Sequence, residues 1–331
     1  MINNRPMNIL VAGGAGYIGS ITTAMLVEAG HNVTVLDNLS KGHRDAVHPD
    51  ARFVEGCIGD PQAVTALCGN GIDLAMHFAA YIEVGESVTD PRKYYRNNVI
   101  EALRFIDTLI DNGVGMFVFS STAAVYGQPR EVPLTEDSPL APINPYGWTK
   151  RMIEQALADY SAAHDFRAVA LRYFNAGGAY GPYGENHDPE SHLIPRILNM
   201  LTDGGSFSVF GDDYDTPDGS CIRDYIHVRD LADAHVRAAD YLASGGATGA
   251  FNLGTGTGYS VFDVIATVER VTGREVPITV SPRRPGDPPR LVASPERGQQ
   301  VLGRDTRTFT LEDIVTSAWE WKLTHPKGYE R

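Results

Sequence analysis

The sequence predicts an α/β protein: a doubly wound parallel sheet followed by a smaller C-terminal α/β domain. Three observations lead there. Between Met7 and Asp37 an apolar run, a glycine-rich turn, a helical pattern and a second apolar run follow one another. Strand-like runs then keep alternating with helical patterns, which calls for parallel strands with helices on both faces. From about Ala176 the alternation loosens, and Gly, Pro and Tyr become frequent, as in a binding loop. A boundary near residue 175 divides the chain into domains 1–175 and 176–331, with segments free to cross between them. The 331 residues suffice for both, at roughly 100–200 residues per domain.

Met7 to Ala12 reads as a buried strand and leads into Gly13-Gly14-Ala15-Gly16-Tyr17-Ile18-Gly19. Such glycines let the backbone turn tightly and approach a pyrophosphate, which sits at the positive end of the helix that follows. That helix runs to Gly30, and the strand Asn32–Leu36 ends at Asp37-Asn38. Asp37 stands 18 residues after Gly19, the spacing that suits a ribose 2′-hydroxyl. A carboxylate there repels a 2′-phosphate, so NAD is expected rather than NADP. The first domain is therefore expected to be an NAD-binding, Rossmann-type unit.

Further strands are expected at 51–56, 74–80 and 115–122, with a helical pattern from Pro91 to Leu109. Ligands of such sheets bind beyond the carboxyl ends of the strands. Ser120, Ser121 and Thr122 fall at one such end, and Thr122 is suited to hold a reacting hydroxyl. His77 lies inside an apolar strand and reads as a core histidine.

Asn144-Pro145-Tyr146-Gly147-Trp148-Thr149-Lys150 reads as a helix start, with Asn144 as cap and Pro145 in the first position. Tyr146 and Lys150, four apart, then share a face. An ammonium beside a phenol, together with an oxidised nicotinamide, favours the phenolate and would give a base near neutral pH. In the C-terminal half helices are expected at 194–201, 228–243 and 261–271, and short strands near 207–210 and 275–280. A terminal amphipathic helix around Trp319 and Trp321 reads as core packing.

Composition is that of an ordinary globular protein, 43% hydrophobic and 21% charged. No run approaches the ~18 apolar residues of a membrane span, and the start lacks a signal-peptide core. A cytoplasmic location is expected. The net charge of −13 argues against nucleic acid and anionic membranes as partners. Cys57, Cys68 and Cys221 lack metal-ligand spacing and read as reduced thiols; no metal is assigned.

GGAGYIG, Asp37, FSSTAAVYG and YGWTK together resemble the extended short-chain dehydrogenases/reductases. More narrowly, the chain resembles the bacterial UDP-glucose (UDP-galactose) 4-epimerases. That likeness is carried by Val84-Gly85-Glu86-Ser87, Arg172-Tyr173-Phe174-Asn175, Asp188 to Pro195, Phe210 to Val228, Asn252 to Gly256, Arg283-Arg284-Pro285-Gly286-Asp287 and His325 to Tyr329. The resemblance implies an isomerase that interconverts UDP-galactose and UDP-glucose with tightly held NAD. Hydride leaves C4 of the sugar, the 4-keto sugar turns over, and hydride returns to its other face. It implies Tyr146 as base, Thr122 as holder of the C4 oxygen and Lys150 on the nicotinamide ribose. For NAD it implies Gly13, Gly16, Tyr17, Ile18, Asp37, Asn38, Ser40, Ile58, Phe78, Ala79, Ala80, Asn97, Ser120 and Tyr173, besides Tyr146 and Lys150. For the nucleotide sugar, beyond Thr122 and Tyr146, it implies Asn175, His192, Leu193, Phe210, Arg223, Tyr225, Arg284 and Asp287. Arg223 and Arg284 are the expected diphosphate clamp, because guanidinium pairs with phosphate oxygens bidentately. A homodimer through helices near 93–110 and 146–161 is implied as well.

The chain departs from the pattern at Cys57, where the family has an Asp on the adenine amino group. A thiol is a poor acceptor, and NAD is expected to be held more loosely by roughly 1 kcal/mol. Ile82 replaces a Lys found in some members. Leu291 occupies the position beside sugar C2, where a large aromatic excludes N-acetyl sugars; turnover of UDP-GlcNAc and UDP-GalNAc is therefore a second expectation. Ala123 and Ala124 stand where a 4,6-dehydratase carries an Asp-Glu pair. An epimerase of UDP-glucuronate or UDP-xylose stays open. A non-catalytic sensor of NAD or nucleotide sugar is the rival of another class, disfavoured because Thr122, Tyr146 and Lys150 are all present.

Overall fold

Parallel pairing organises the N-terminal half of the computed structural model, which describes residues 5–284, 287–303 and 308–329. The strand β1 (Asn8–Ala12), the helix α1 (Tyr17–Glu28) and β2 (Asn32–Asp37) form the first crossover unit. Next come β3 (Arg52–Glu55), α2 (Pro61–Cys68) and β4 (Leu74–His77). The stretch expected as one helix from Pro91 to Leu109 is broken. After α3 (Val84–Thr89), α4 (Pro91–Tyr95) passes through a wide π turn, Arg96–Glu101, into α5 (Ala102–Asp111). Then follow β5 (Met116–Thr122), α6 (Pro145–Ala163) and β6 (Arg167–Tyr173).

The C-terminal half contains β7 (Asn175–Gly177), α7 (Leu193–Asp203), β8 (Phe207–Phe210), β9 (Ile222–His227), α8 (Val228–Ala243) and β10 (Gly249–Leu253). It ends with β11 (Gly258–Ser260), α9 (Val261–Thr272), β12 (Ile278–Ser281), β13 (Arg290–Leu291), α10 (Glu296–Leu302) and α11 (Leu311–Thr324).

The large sheet has seven strands in the order β3-β2-β1-β4-β5-β6-β10, all parallel. Its direction of winding reverses between β1 and β4, so a crevice opens at the carboxyl ends of those two strands. Alternate residues feed two cores. Ile9, Val11, Val35, Met76, Val118 and Val169 pack on one face with α1 and α8, whereas Leu10, Leu36, Ala75, Phe117 and Ala168 pack on the other with α2, α5 and α6. Each of the larger of these side chains, from Val to Phe, contributes roughly 1.5–3 kcal/mol of burial. The edge strand β10 comes from beyond residue 176, so the chain returns to the first layer through α8 and β10.

β9 is the hub of the second sheet. Its first half pairs antiparallel with β11 and parallel with β13, and its second half pairs parallel with β7. β8 and β12 form a separate parallel pair. A third core joins α7, α9 and α11 through Ile197, Val264, Ile314 and Trp319. Trp319 and Trp321 are both buried, as core packing requires.

His77 is buried among Phe105, Phe117 and Phe119. Burial, helped by the nearby Lys150 charge, pulls its imidazole down to about 3, so it is neutral in the fold. Neither ring nitrogen has a hydrogen-bond partner.

Candidate active site

A cavity of about 400 Å³ lies over the carboxyl edge of the large sheet, between it and the C-terminal half. Its floor is the glycine-rich turn. Gly13 has φ of +82°, and a Cβ there would sit 2.5 Å from the Ala79 amide nitrogen. A Cβ on Gly19 would lie 2.2 Å from the Gly13 carbonyl oxygen. The turn is therefore packed to the backbone on its sheet side. At Gly16 a Cβ would meet nothing closer than 3.5 Å, and this residue lines the cavity. Gly16 caps α1 without a side chain, so the helix N-terminus faces the space. At the end of β2 the Asp37 carboxylate accepts from the Ala15 and Leu39 amides at 3.0 and 2.8 Å. Burial raises its pKa, and those amides offset part of the rise.

The α6 start is built as its sequence implies. Asn144 Oδ1 accepts from the Gly147 amide at 2.8 Å, with Pro145 in the first turn. Gly147 permits close docking, since a Cβ there would lie 2.7 Å from the Ala124 carbonyl oxygen. Docking brings Tyr146 to Thr122 at the end of β5; Thr122 Oγ1 accepts from the Ala124 amide at 3.1 Å. One turn on, Lys150 is buried and its Nζ donates to the Ser120 carbonyl at 2.7 Å and to Ser120 Oγ at 3.3 Å.

The expected depression of the Tyr146 phenol invokes the nicotinamide charge as well as Lys150. In the chain by itself the Tyr146 phenol is not depressed. Burial pushes it up to about 12, and a hydrogen bond with Thr122 offsets only part of this. Lys150 does not supply the missing charge: its Nζ is 6.0 Å from the Tyr146 ring centre and is tied to Ser120. Burial draws the Lys150 ammonium down to about 7, against the pull of Glu154. Desolvation outweighs the helical spacing that suggested a cation–phenol pair.

Beneath these groups lies a closed polar network. Glu154 and Arg172 form a buried ion pair at 2.8 Å. Ser121 Oγ donates to Glu154 at 2.5 Å, Arg172 donates to the Tyr126 hydroxyl at 2.9 Å, and that hydroxyl donates to Asn252 at 2.6 Å. The network locks β5, β6, β10 and α6 together just below Thr122. The π turn has a matching role. Its Asn98 accepts from the Tyr81 amide at 3.0 Å and donates to the Tyr81 carbonyl at 2.9 Å, which places the neighbouring Asn97 on the cavity wall. Tyr173, at the end of β6, shares a 2.5 Å hydrogen bond with His235 Nε2.

Every residue expected to bind the cofactor lines this cavity: Gly13, Gly16, Tyr17, Ile18, Asp37, Asn38, Ser40, Ile58, Phe78, Ala79, Ala80, Asn97, Ser120, Tyr146, Lys150 and Tyr173. Thr122, Asn175, His192, Leu193, Tyr225 and Leu291 line it as well. Phe210, Arg223, Arg284 and Asp287 do not; they form a group that continues from its rim. Arg223 is in register with Leu291 and two residues before Tyr225 on β9. Its guanidinium lies 3.5 Å from Asp287 and donates to the Pro288 carbonyl at 2.9 Å. Arg284 stacks on Phe210, 4.0 Å from the ring centre. Pro285 and Gly286 of the same motif lie outside the described residues.

The sequence reading missed Lys41, Glu83, Glu185 and His187 on the cavity wall. Lys41 Nζ lies 3.4 Å from Glu83 and donates to the Asp188 carbonyl at 2.7 Å, so it ties three loops together. Glu185 and Glu190 flank His187 and His192. Although burial opposes the charge, these carboxylates raise the two imidazoles to about 9 and about 10. Only the pattern Glu-x-His-x-x-Glu-x-His from 185 to 192 could have flagged them.

A model of the "NAD dependent epimerase/dehydratase" family matches residues 9–254. The chain belongs to that family. Within this epimerase/dehydratase family, it is 48% identical to a UDP-glucose 4-epimerase of Lactobacillus helveticus, over 98% of this chain and 99% of that protein. A Brucella ovis UDP-glucose 4-epimerase solved in complex with NAD superposes with a TM-score of 0.92 at 46% identity, covering 95% of this chain and 98% of that one. The UDP-Glc/GlcNAc 4-epimerase of Campylobacter jejuni does so with a TM-score of 0.84 at 41% identity, over 96% and 99%.

Proposed function

We propose that this chain is an NAD-dependent UDP-sugar 4-epimerase that reversibly interconverts UDP-galactose and UDP-glucose. The observation that carries it is that Tyr146, Thr122 and Lys150 open onto the same cavity as the glycine-rich turn and Asp37. The residues fit NAD. The Gly13–Gly19 turn is a cradle with backbone on one side and free space at Gly16 on the other, and the Asp37 carboxylate closes its far end. Bound NAD supplies the hydride acceptor and donor for C4 of the sugar, together with positive charge.

The chain's own groups handle the proton and the geometry. Tyr146 takes the C4 hydroxyl proton and later returns it; Thr122 holds the same oxygen. With the phenol at about 12 in the chain alone, the base becomes competent only when positive charge enters the cavity. Lys150, fixed on Ser120, holds the cofactor ribose. Asn175, His192, Leu193 and Tyr225 form the sugar side. Arg223 and Arg284 clamp the diphosphate, and Asp287 holds a ribose or uracil-side hydroxyl. Such a clamp requires Arg223 to exchange its Asp287 contact for phosphate oxygens.

We assign residues 1–175 to NAD binding and 176–331 to the nucleotide sugar, with α8 and β10 crossing back. A homodimer is proposed through the outer faces of the π turn and α6, and the exposure of Ile100 (49%), Trp148 (42%) and Met152 (43%) there supports it. Light scattering is expected to give twice the chain mass, and a monomer would refute this. Among the described residues no helix is long and apolar enough to cross a membrane. The cytoplasmic assignment rests on the sequence and on three free cysteines.

Incubation with UDP-galactose, without added NAD, tests the reading: UDP-glucose is the expected product, and no conversion even with NAD added would overturn it. Leu291, half-buried on the cavity wall, favours a second reading in which UDP-GlcNAc and UDP-GalNAc are also interconverted. Absence of turnover with both acetylated sugars would remove it.

A further inference from the structure

Glu185, His187, Glu190 and His192 sit in the loop between β7 and α7. One ligand-type atom of each lies within 4.8 Å of all the others. Nδ1 of His192 is 2.8 Å from Glu185 Oε1 and 3.2 Å from Glu190 Oε1. Nδ1 of His187 is 3.3 Å from Glu185 Oε1 and 3.7 Å from Glu190 Oε2. A tetrahedral ion with bonds of about 2.0–2.1 Å to nitrogen and oxygen separates its ligands by about 3.3 Å. The three separations that share Glu185 Oε1 and Glu190 Oε1 scatter around that edge length, and the fourth runs to the other Glu190 oxygen.

A second observation points the same way. Nδ1 of His187 is enclosed by protein and makes no hydrogen bond, although it faces both carboxylates. It lies 3.3 and 3.7 Å from the two carboxylates and meets neither with hydrogen-bond geometry. The Glu185 and Glu190 side chains are only 8% and 10% exposed, an arrangement that places two like charges together out of water. Two carboxylates and two neutral imidazoles neutralise a dication.

We propose that Glu185, His187, Glu190 and His192 form a Zn²⁺ site with four protein ligands. Mixed imidazole and carboxylate donors in a four-coordinate cage suit Zn²⁺, whereas Ca²⁺ and Mg²⁺ take more oxygens and keep water. With all four positions filled by the chain, the role is structural. The loop it closes carries the Asp188 carbonyl that receives Lys41, and it ends at His192, the residue capping α7. The ion therefore holds one wall of the cavity against the cofactor side, where His187 meets the edge of Tyr17 at 6.2 Å.

The test uses the full chain, stripped with a chelator and then dialysed against micromolar Zn²⁺. Atomic emission is expected to give one Zn²⁺ per chain, and Co²⁺ in its place an intense visible band of a tetrahedral centre. Thermal melts of the stripped protein should rise with Zn²⁺ concentration. His187→Ala and Glu190→Gln should each weaken binding at least as much as loss of an outer partner does, about 10–100-fold. Failure of the unaltered chain to retain Zn²⁺ would overturn the site, as would both variants keeping Zn²⁺ at undiminished affinity, since that places it on other histidines. If a variant does not fold, the stoichiometry and Co²⁺ spectrum of the unaltered chain decide, a weak octahedral spectrum counting against the site.

Discussion

The cofactor side and the nucleotide-sugar side of the cavity are built by different means. The cofactor side is the carboxyl edge of a seven-stranded sheet, where strand register fixes each residue and the Glu154–Arg172 pair is sealed from water. The sugar side rests on short strands around β9 and on a loop, and the two arginines proposed as its clamp are engaged elsewhere, Arg223 with Asp287 and Arg284 on Phe210. The difference teaches that a preformed cradle suits a group that stays. A diphosphate that comes and goes suits cations parked on partners they can leave.

The comparison breaks most readily at Tyr146. Tyr146→Phe is expected to lower turnover at least about a thousandfold, within the range for losing a positioned acid–base group, while NAD content of the purified protein is unchanged. Near-normal turnover would remove the assigned base. Arg172→Met tests whether the cofactor side depends on its sealed network. Leaving Glu154 buried and unpaired should cost about 3–5 kcal/mol in urea unfolding. Arg284→Ala tests the sugar side. Losing a charged hydrogen bond of about 1.5–3 kcal/mol should raise KM for UDP-galactose roughly 10–100-fold. Unfolding free energy should stay within about 0.5 kcal/mol, because the residue is exposed.

Two glycines sharpen the picture within the cofactor side. Gly13→Ala forces a Cβ against the Ala79 backbone at positive φ and should lower both stability and NAD affinity. Gly16→Ala has room in the fold, so it should weaken NAD binding in a titration while the thermal midpoint stays put. A further effect concerns pH. Burial holds Lys150 at about 7, below the ~10.4 of an unfolded lysine. Between these values the unfolded chain binds more protons than the native one, so stability of cofactor-free protein rises as pH increases through that window and falls toward its lower end. Lys150→Met should flatten this rise in melts taken across the same range.

Much of the cofactor side is legible in the sequence because local rules act there. A glycine turn between a strand and a helix, an acid at the next strand end and Asn144-Pro145 before Tyr146 are each fixed by neighbours in the chain. The π turn at Arg96–Glu101 is not, because Asn98 takes its place from Tyr81 and Thr149, distant in sequence. Lys41 crosses to Glu83 and Asp188, and no local pattern announces it.

The sequence by itself determined the parallel sheet, the edge at which ligands gather and the residue types that face them, since hydrophobic period and turn chemistry are encoded within a few residues. Only the tertiary structure decided how those groups are charged and paired. Solvent exclusion around Tyr146 and Lys150, the convergence of Glu185 with His192 and the parking of Arg223 on Asp287 depend on what other segments bring near, and spacing along the chain carries no measure of that.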